Sequence, residues 1–161
     1  KDVGIEFHSL SKTYNMTGWR CGWVSGNSQI LKALSKVKDN FDSGVFAAIQ
    51  HAGIVALTGP QDCVKEVRSI YKLRRDTLVR GLSKIPGWKV STPNATFYVW
   101  ARIPTKYSST EVTEKLLTEG RVLATPGVGM GDYGEGYVRF ALTVSIEKIK
   151  EAVKRISSIN W

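Results

Sequence analysis

The 161 residues predict a mixed α/β chain with a helical first half and a compact α+β second half. Three observations predict it. Apolar residues recur at helical spacing over most of positions 28–86, the period then switches to two, and helical spacing returns after Ser145. The boundary between the halves is expected near residue 75, inside the longest helix candidate, which gives domains of 1–75 and 76–161.

The opening residues, Lys1-Asp2-Val3-Gly4-Ile5-Glu6-Phe7, read as a strand met partway. Acidic residues interrupt the apolar ones, so no signal peptide is legible there, and with no initiator methionine the chain is expected to be a piece of a longer protein. Residues 7–23 are rich in Ser, Thr, Asn and Gly and close on the strand-like Cys21-Gly22-Trp23-Val24. Ser28 is placed to cap a helix with Ile30, Leu31, Leu34 and Val37 on its spacing. Asp39 to Gly44 breaks the pattern. A second, apolar helix follows over 45–57, closed by Thr58-Gly59-Pro60.

Pro60 opens the longest helix candidate, with Val64, Val67, Tyr71, Leu78 and Leu82 on one stripe and Lys65, Arg68, Lys72, Arg75 and Arg80 largely elsewhere. It runs to Pro86-Gly87. At roughly 25 residues it is about twice the average helix and suits a connector between two lobes. Beyond it, Trp88, Val90, Phe97, Val99 and Ala101 alternate with Lys89, Ser91, Tyr98, Trp100 and Arg102, which predicts two strands around Pro93-Asn94. Ser108 and Glu111 form a capping box ahead of a helix to about residue 119. A strand over 122–124, a glycine-rich loop over 127–136 and a strand over 137–142 come next. Ser145 then caps a last helix that turns Ile146, Ile149, Val153 and Ile156 inward.

The composition narrows the function classes. No apolar run approaches the ~18 residues of a membrane span. The net charge of +9 is spread along the chain, with Lys and Arg alternating with Glu and Asp. That distribution describes solvated helix faces and not a nucleic-acid surface. Cys21 and Cys63 lack metal-ligand spacing and form no disulfide framework, which suits a reducing cytosol or organelle stroma. Gly127-Val128-Gly129-Met130-Gly131 precedes a strand instead of leading from one into a helix, so a dinucleotide or phosphate-loop reading fails and a mobile loop near a site is expected. His8 and His51 read as structural, and Trp19, Trp23, Trp88 and Trp100 as core or interface aromatics.

Chemistry concentrates in Ser9-Leu10-Ser11-Lys12-Thr13-Tyr14-Asn15-Met16-Thr17-Gly18-Trp19-Arg20. A lysine among small hydroxyl residues is poorly explained by helix or strand packing. Lys12 can supply an amine that condenses with an aldehyde, provided nearby positive charge or desolvation keeps part of it neutral. Ser9 and Ser11 can donate to phosphate oxygens, and Arg20 offers a planar fork for a phosphate dianion. A second anchor is Arg139, in the apolar strand pattern Tyr137-Val138-Arg139-Phe140-Ala141. A charge placed there requires a partner, and an anionic ligand is one.

The segment resembles the lysine motif of class I/II aminotransferases of fold type I, with a serine three residues before the lysine and an arginine eight after it. The resemblance covers the whole chain and implies the C-terminal portion of such an enzyme: residues 1–75 as the end of the pyridoxal-phosphate-binding large domain, 76–161 as the small α+β domain. It implies pyridoxal 5'-phosphate as cofactor, Lys12 as its covalent anchor and catalytic base, Ser9, Ser11 and Arg20 as phosphate ligands, and Arg139 as the clamp on a substrate carboxylate. It further implies amino-acid and 2-oxo-acid substrates, a homodimer, no metal, no nucleic-acid or membrane partner, and a cytoplasmic or plastid location. The family's ring-nitrogen aspartate, stacking aromatic and glycine- or serine-rich phosphate loop belong before Lys1, and Asp2 is too close to Lys12 to substitute. The 161 residues alone are therefore expected to have little or no activity.

Residues 36–46 and 93–100 are similar to the LL-diaminopimelate aminotransferases of lysine biosynthesis, which implies amination of tetrahydrodipicolinate with glutamate as donor. Aspartate, alanine or aromatic aminotransferases, and a non-catalytic module retaining the fold, stand as the alternatives.

Overall fold

The computed structural model describes residues 2–161. The chain divides into two compact units between Glu66 and Val67.

In the first unit, β1 (Ile5–Ser9) pairs antiparallel with β2 (Gly22–Gly26), in a register running from Ile5 opposite Gly26 to Ser9 opposite Gly22. Glycine at position 22 lets the strands close, because a Cβ there would stand 2.5 Å from the His8 carbonyl oxygen. Between the strands lie α1 (Leu10–Thr13) and a 3₁₀ turn over Thr17–Trp19. The helices α2 (Ser28–Lys38) and α3 (Ala47–Thr58) follow. Asn27, not Ser28, caps α2: its Oδ1 accepts from the backbone N–H groups of Gln29 at 2.9 Å and Ile30 at 3.1 Å, which leaves Ser28 as the first helical residue. The second helix begins at Ala47, two residues later than its apolar pattern, and the Gln50 side chain donates to the Val45 carbonyl ahead of it.

Among the described residues of this unit, Leu10, 1% exposed, is the one large apolar side chain that is buried. By contrast Val37, Phe41, Phe46, Ile54, Val55 and Leu57 are exposed. Gln50, His51 and Thr58 are the only polar residues of α3. A helix apolar on nearly every side belongs in an interior, and among the described residues Ile54, Val55 and Leu57 of it are exposed.

The helix α4 (Asp62–Leu82) passes the boundary between the units. It is 21 residues long and stops short of Pro86-Gly87, the last residues before the prolyl ring being taken by tight turns from Ser83 to Val79 and Ile85 to Leu82. The second unit holds an antiparallel sheet in the order β3 (Lys89–Val90), β4 (Tyr98–Arg102), β6 (Tyr137–Ala141), β5 (Thr125–Pro126), with α5 (Ser109–Thr118) and α6 (Ile146–Ser157). Strands alternate their side chains between faces. Val99, Ala101, Val138 and Phe140 therefore join Leu78 and Leu82 of α4, Val112 and Leu116 of α5, and Ile149 and Ile156 of α6 in one core. Tyr98, Trp100, Tyr137 and Arg139 occupy the opposite face.

Both caps expected in this unit form. Ser108 and Glu111 make the reciprocal box, and Ser145 Oγ accepts from Lys148 N–H. Residues 122–124 depart from the expectation of a strand. Arg121 takes a left-handed conformation (φ 52°) and Val122 N–H donates to the Leu116 carbonyl at 2.8 Å, so the run serves as the exit of α5 and leaves Leu123 exposed. Pairing with β6 starts only at Thr125. Of the four tryptophans expected in the core or at an interface, Trp88 is the buried one, packed against Phe140 and Trp161. Trp23 instead stacks on His8, with ring centroids 5.2 Å apart.

The glycine-rich loop forms two 3₁₀ turns, Gly127–Met130 and Asp132–Gly134. Gly127 and Gly134 lie backbone to backbone, too close for a Cβ on either. The segment is also tied to α5. The Glu135 carboxylate accepts from Ser109 N–H at 2.7 Å, Ser109 Oγ–H at 2.8 Å and Gly136 N–H at 3.0 Å, and Ser109 is fully buried. These bonds, first those from Ser109, hold Glu135 below the usual glutamate range. A depressed folded-state pKa adds stability above the unfolded value and loses it as pH falls through the folded one. Glu135→Gln in the full-length protein is therefore expected to melt lower than the parent at neutral pH. The gap should close as the pH is lowered through the acid range in thermal denaturation, whereas a gap independent of pH would contradict the assignment.

Among the described residues, no helix is long and apolar enough to cross a membrane and no group of His, Cys, Asp and Glu could hold a metal ion. Cys21 and Cys63 are free thiols.

Candidate functional site

Four of the five sequence-selected residues lie on the closed end of the β1–β2 hairpin. Ser9 ends β1 in extended backbone (φ −147°, ψ 143°) and caps α1, its Oγ accepting from Ser11 N–H at 3.1 Å. With a lone pair committed this way, the Ser9 hydroxyl keeps its proton to donate. Lys12 stands in the last turn of α1 and is exposed. Ser11 is the exception, being 8% exposed, with its carbonyl accepting from Thr17 Oγ1 at 3.1 Å. The carbonyl bond ties α1 to the return half of the loop.

That return delivers Arg20. Leu10 N–H donates to the Cys21 carbonyl at 3.1 Å, one residue beyond Arg20 on one side and one beyond Ser9 on the other. Arg20 adopts left-handed backbone (φ 52°, ψ 48°), which costs a non-glycine residue about 1 kcal/mol or more. Its Nη1 donates to the Thr17 carbonyl at 2.9 Å. The guanidinium is exposed and retains N–H groups for a further acceptor.

The fit to a phosphorylated aldehyde can be judged on this donor set. An exposed lysine, a serine hydroxyl and an exposed guanidinium belong to one hairpin connection, held by the Leu10–Cys21 and Thr17–Ser11 bonds. Amine chemistry and dianion binding are both supplied. The residues present fit the group.

The fifth residue, Arg139, belongs to the second unit. It sits in β6, a strand with neighbours on both sides, facing Trp100 of β4 and Thr125 of β5 in register. It is half-buried on the sheet face away from the core, where Trp100 and Tyr137 stack with centroids 5.4 Å apart. Its Cζ lies 4.5 Å from the centroid of the Tyr98 ring, its Nη2 is 3.5 Å from Thr125 Oγ1 and its Nη1 is 3.9 Å from Met130 Sδ. No carboxylate among the described residues forms an ion pair with it. The sequence had shown that Arg139 needs a partner. It had not shown these three neighbours, because strand register, not spacing, brings them to it.

Known proteins match the chain along almost its whole length. The profile of the family described as Aminotransferase class I and II matches residues 1–156. LL-diaminopimelate aminotransferase of Moorella thermoacetica is 52% identical over 159 residues, and that of Syntrophobacter fumaroxidans 54% over 160, each covering 99% of this chain. The chain spans about 40% of the length of these curated relatives. Among solved structures, BacF of Bacillus subtilis superposes with a TM-score of 0.93 at 37% identity, covering 99% of this chain and 41% of its own. The aromatic aminotransferase of Pyrococcus horikoshii gives 0.91 at 34% identity, covering 95% of this chain and 42% of its own. Matched along almost its whole length by the profile and by relatives half identical to it, the chain belongs to the class I and II aminotransferase family.

Proposed function

We propose that the full-length protein is a pyridoxal-phosphate-dependent LL-diaminopimelate aminotransferase that moves an amino group from glutamate to tetrahydrodipicolinate. The observation that carries the class is the set of Ser9, Lys12 and Arg20 on one hairpin end, in a chain of this family. The subtype rests on relatives of that name at about 50% identity.

Bound pyridoxal phosphate supplies an aldehyde that amines attack and a ring that withdraws electrons from the substrate Cα. Lys12 Nζ would be the covalent anchor and, once its amine is free, the base that takes and returns the substrate's Cα proton. Arg20 and the Ser9 hydroxyl would hold its phosphate. Ser11 is assigned to the same phosphate site, where its buried position makes it a support through the Thr17 contact. Arg139 holds the substrate carboxylate by two parallel hydrogen bonds.

On this reading residues 1–75 close the large domain and 76–161 form the small one. The uncovered faces of α2 and α3 meet the rest of the full-length protein and a second copy of it, in the cytoplasm or the plastid stroma. A panel of acceptors tests the subtype. With glutamate as donor, the full-length enzyme is expected to aminate tetrahydrodipicolinate in preference to oxaloacetate, pyruvate or aromatic keto acids. Turnover of any of those three without tetrahydrodipicolinate would remove the subtype and leave the class standing.

A further inference from the structure

The three neighbours of Arg139 come from three separate places in the chain. Tyr98 lies on β4, Thr125 on β5 and Met130 in the first 3₁₀ turn of the glycine-rich segment. Tyr98 covers one flat face of the guanidinium, where a ring attracts a cation and removes water from it. Thr125 Oγ1 and Met130 Sδ each take one N–H, from Nη2 and Nη1 respectively. Of the five guanidinium N–H groups, three are then left, which suffices for a two-pronged carboxylate. None of the neighbours carries a charge, so the full positive charge remains for an anion.

The Met130 side of this cradle is itself anchored. Val128 N–H donates to the buried Ser109 Oγ at 3.4 Å, and the same hydroxyl donates to Glu135, so the glycine-rich segment is fastened to α5 on both sides of Met130.

The geometry points to Tyr98, Thr125 and Met130 as positioning residues that fix the Arg139 guanidinium for a substrate carboxylate, a reading that rests on the assignment of Arg139 above. They act through Arg139 and do not touch the reacting atoms. Their loss should therefore weaken carboxylate binding and spare the chemical step.

The test is steady-state kinetics of the full-length enzyme with two kinds of amino donor, glutamate and an alkylamine that lacks a carboxylate. Tyr98→Ala is expected to raise KM for glutamate about ten-fold, and Met130→Ala and Thr125→Val to raise it less. In all three kcat and the slow turnover of the alkylamine are expected to hold. Tyr98→Phe, which keeps the ring, should restore KM. In an Arg139→Ala background Tyr98→Ala should add nothing, since both act on one contact. If Arg139→Ala raises KM while Tyr98→Ala and Met130→Ala do not, the cradle is overturned and Arg139 stands. Equal losses on glutamate and on the alkylamine would mark a structural role and overturn it too. Should Arg139→Ala itself leave KM for glutamate unchanged, the assignment of Arg139 falls first.

Discussion

Replacing Lys12 by alanine is expected to lower transaminase turnover of the full-length enzyme by on the order of 10³-fold or more. On the proposed reading the substitution removes both the amine that would bond the cofactor and the base that would move the Cα proton, two roles with one atom. Lys12 is exposed in the last turn of α1, so a melting curve of each variant separates a loss of chemistry from a loss of fold. Lys12→Arg separates charge from chemistry. It keeps a cation in place but cannot bond an aldehyde or give up a proton near neutral pH, and it should be as inactive as the alanine variant. Stopped-flow measurement with glutamate checks both variants, and substantial single-turnover activity in either would contradict the assignment.

The second large effect is expected at Arg20. Charge-assisted hydrogen bonds contribute about 1.5–3 kcal/mol each, so losing a two-pronged grip on the phosphate should weaken cofactor binding about 10²-fold or more. Glycine is the informative replacement, because the left-handed backbone at position 20 suits it better than arginine. Arg20→Gly therefore deletes the guanidinium without straining the loop. Equilibrium dialysis of the full-length protein against pyridoxal phosphate should show the loss, with an unchanged melting temperature for the cofactor-free protein. Undiminished affinity would place the phosphate elsewhere.

The sequence was most informative where local rules act alone. The capping box at Ser108 and Glu111, the cap at Ser145, and the alternation of Val99 and Ala101 against Tyr98 and Trp100 are each set by neighbours within four positions. The motif from Ser9 to Arg20 was equally legible as a spacing. Its geometry was not, since nothing in the residue types signals a left-handed Arg20 or a bond from Thr17 to the Ser11 carbonyl.

Long-range pairing accounts for the rest. The apolar run 122–124 looks like a strand and is spent on leaving α5, because the Val122 bond to Leu116 claims its backbone first. Tyr98, Thr125 and Met130 became neighbours of Arg139 only through the order β4–β6–β5, which a single sequence does not disclose. Glu135 likewise has no local signature: its partner Ser109 is 26 residues away.

Trapping the cofactor on its lysine tests the account most directly. The full-length protein, loaded with pyridoxal phosphate, is reduced with borohydride, digested and analysed by mass spectrometry. The reduced cofactor is expected on the peptide that contains Lys12, with labelling much reduced in Arg20→Gly at limiting cofactor. A label on any other lysine, with Lys12 unmodified, would contradict it.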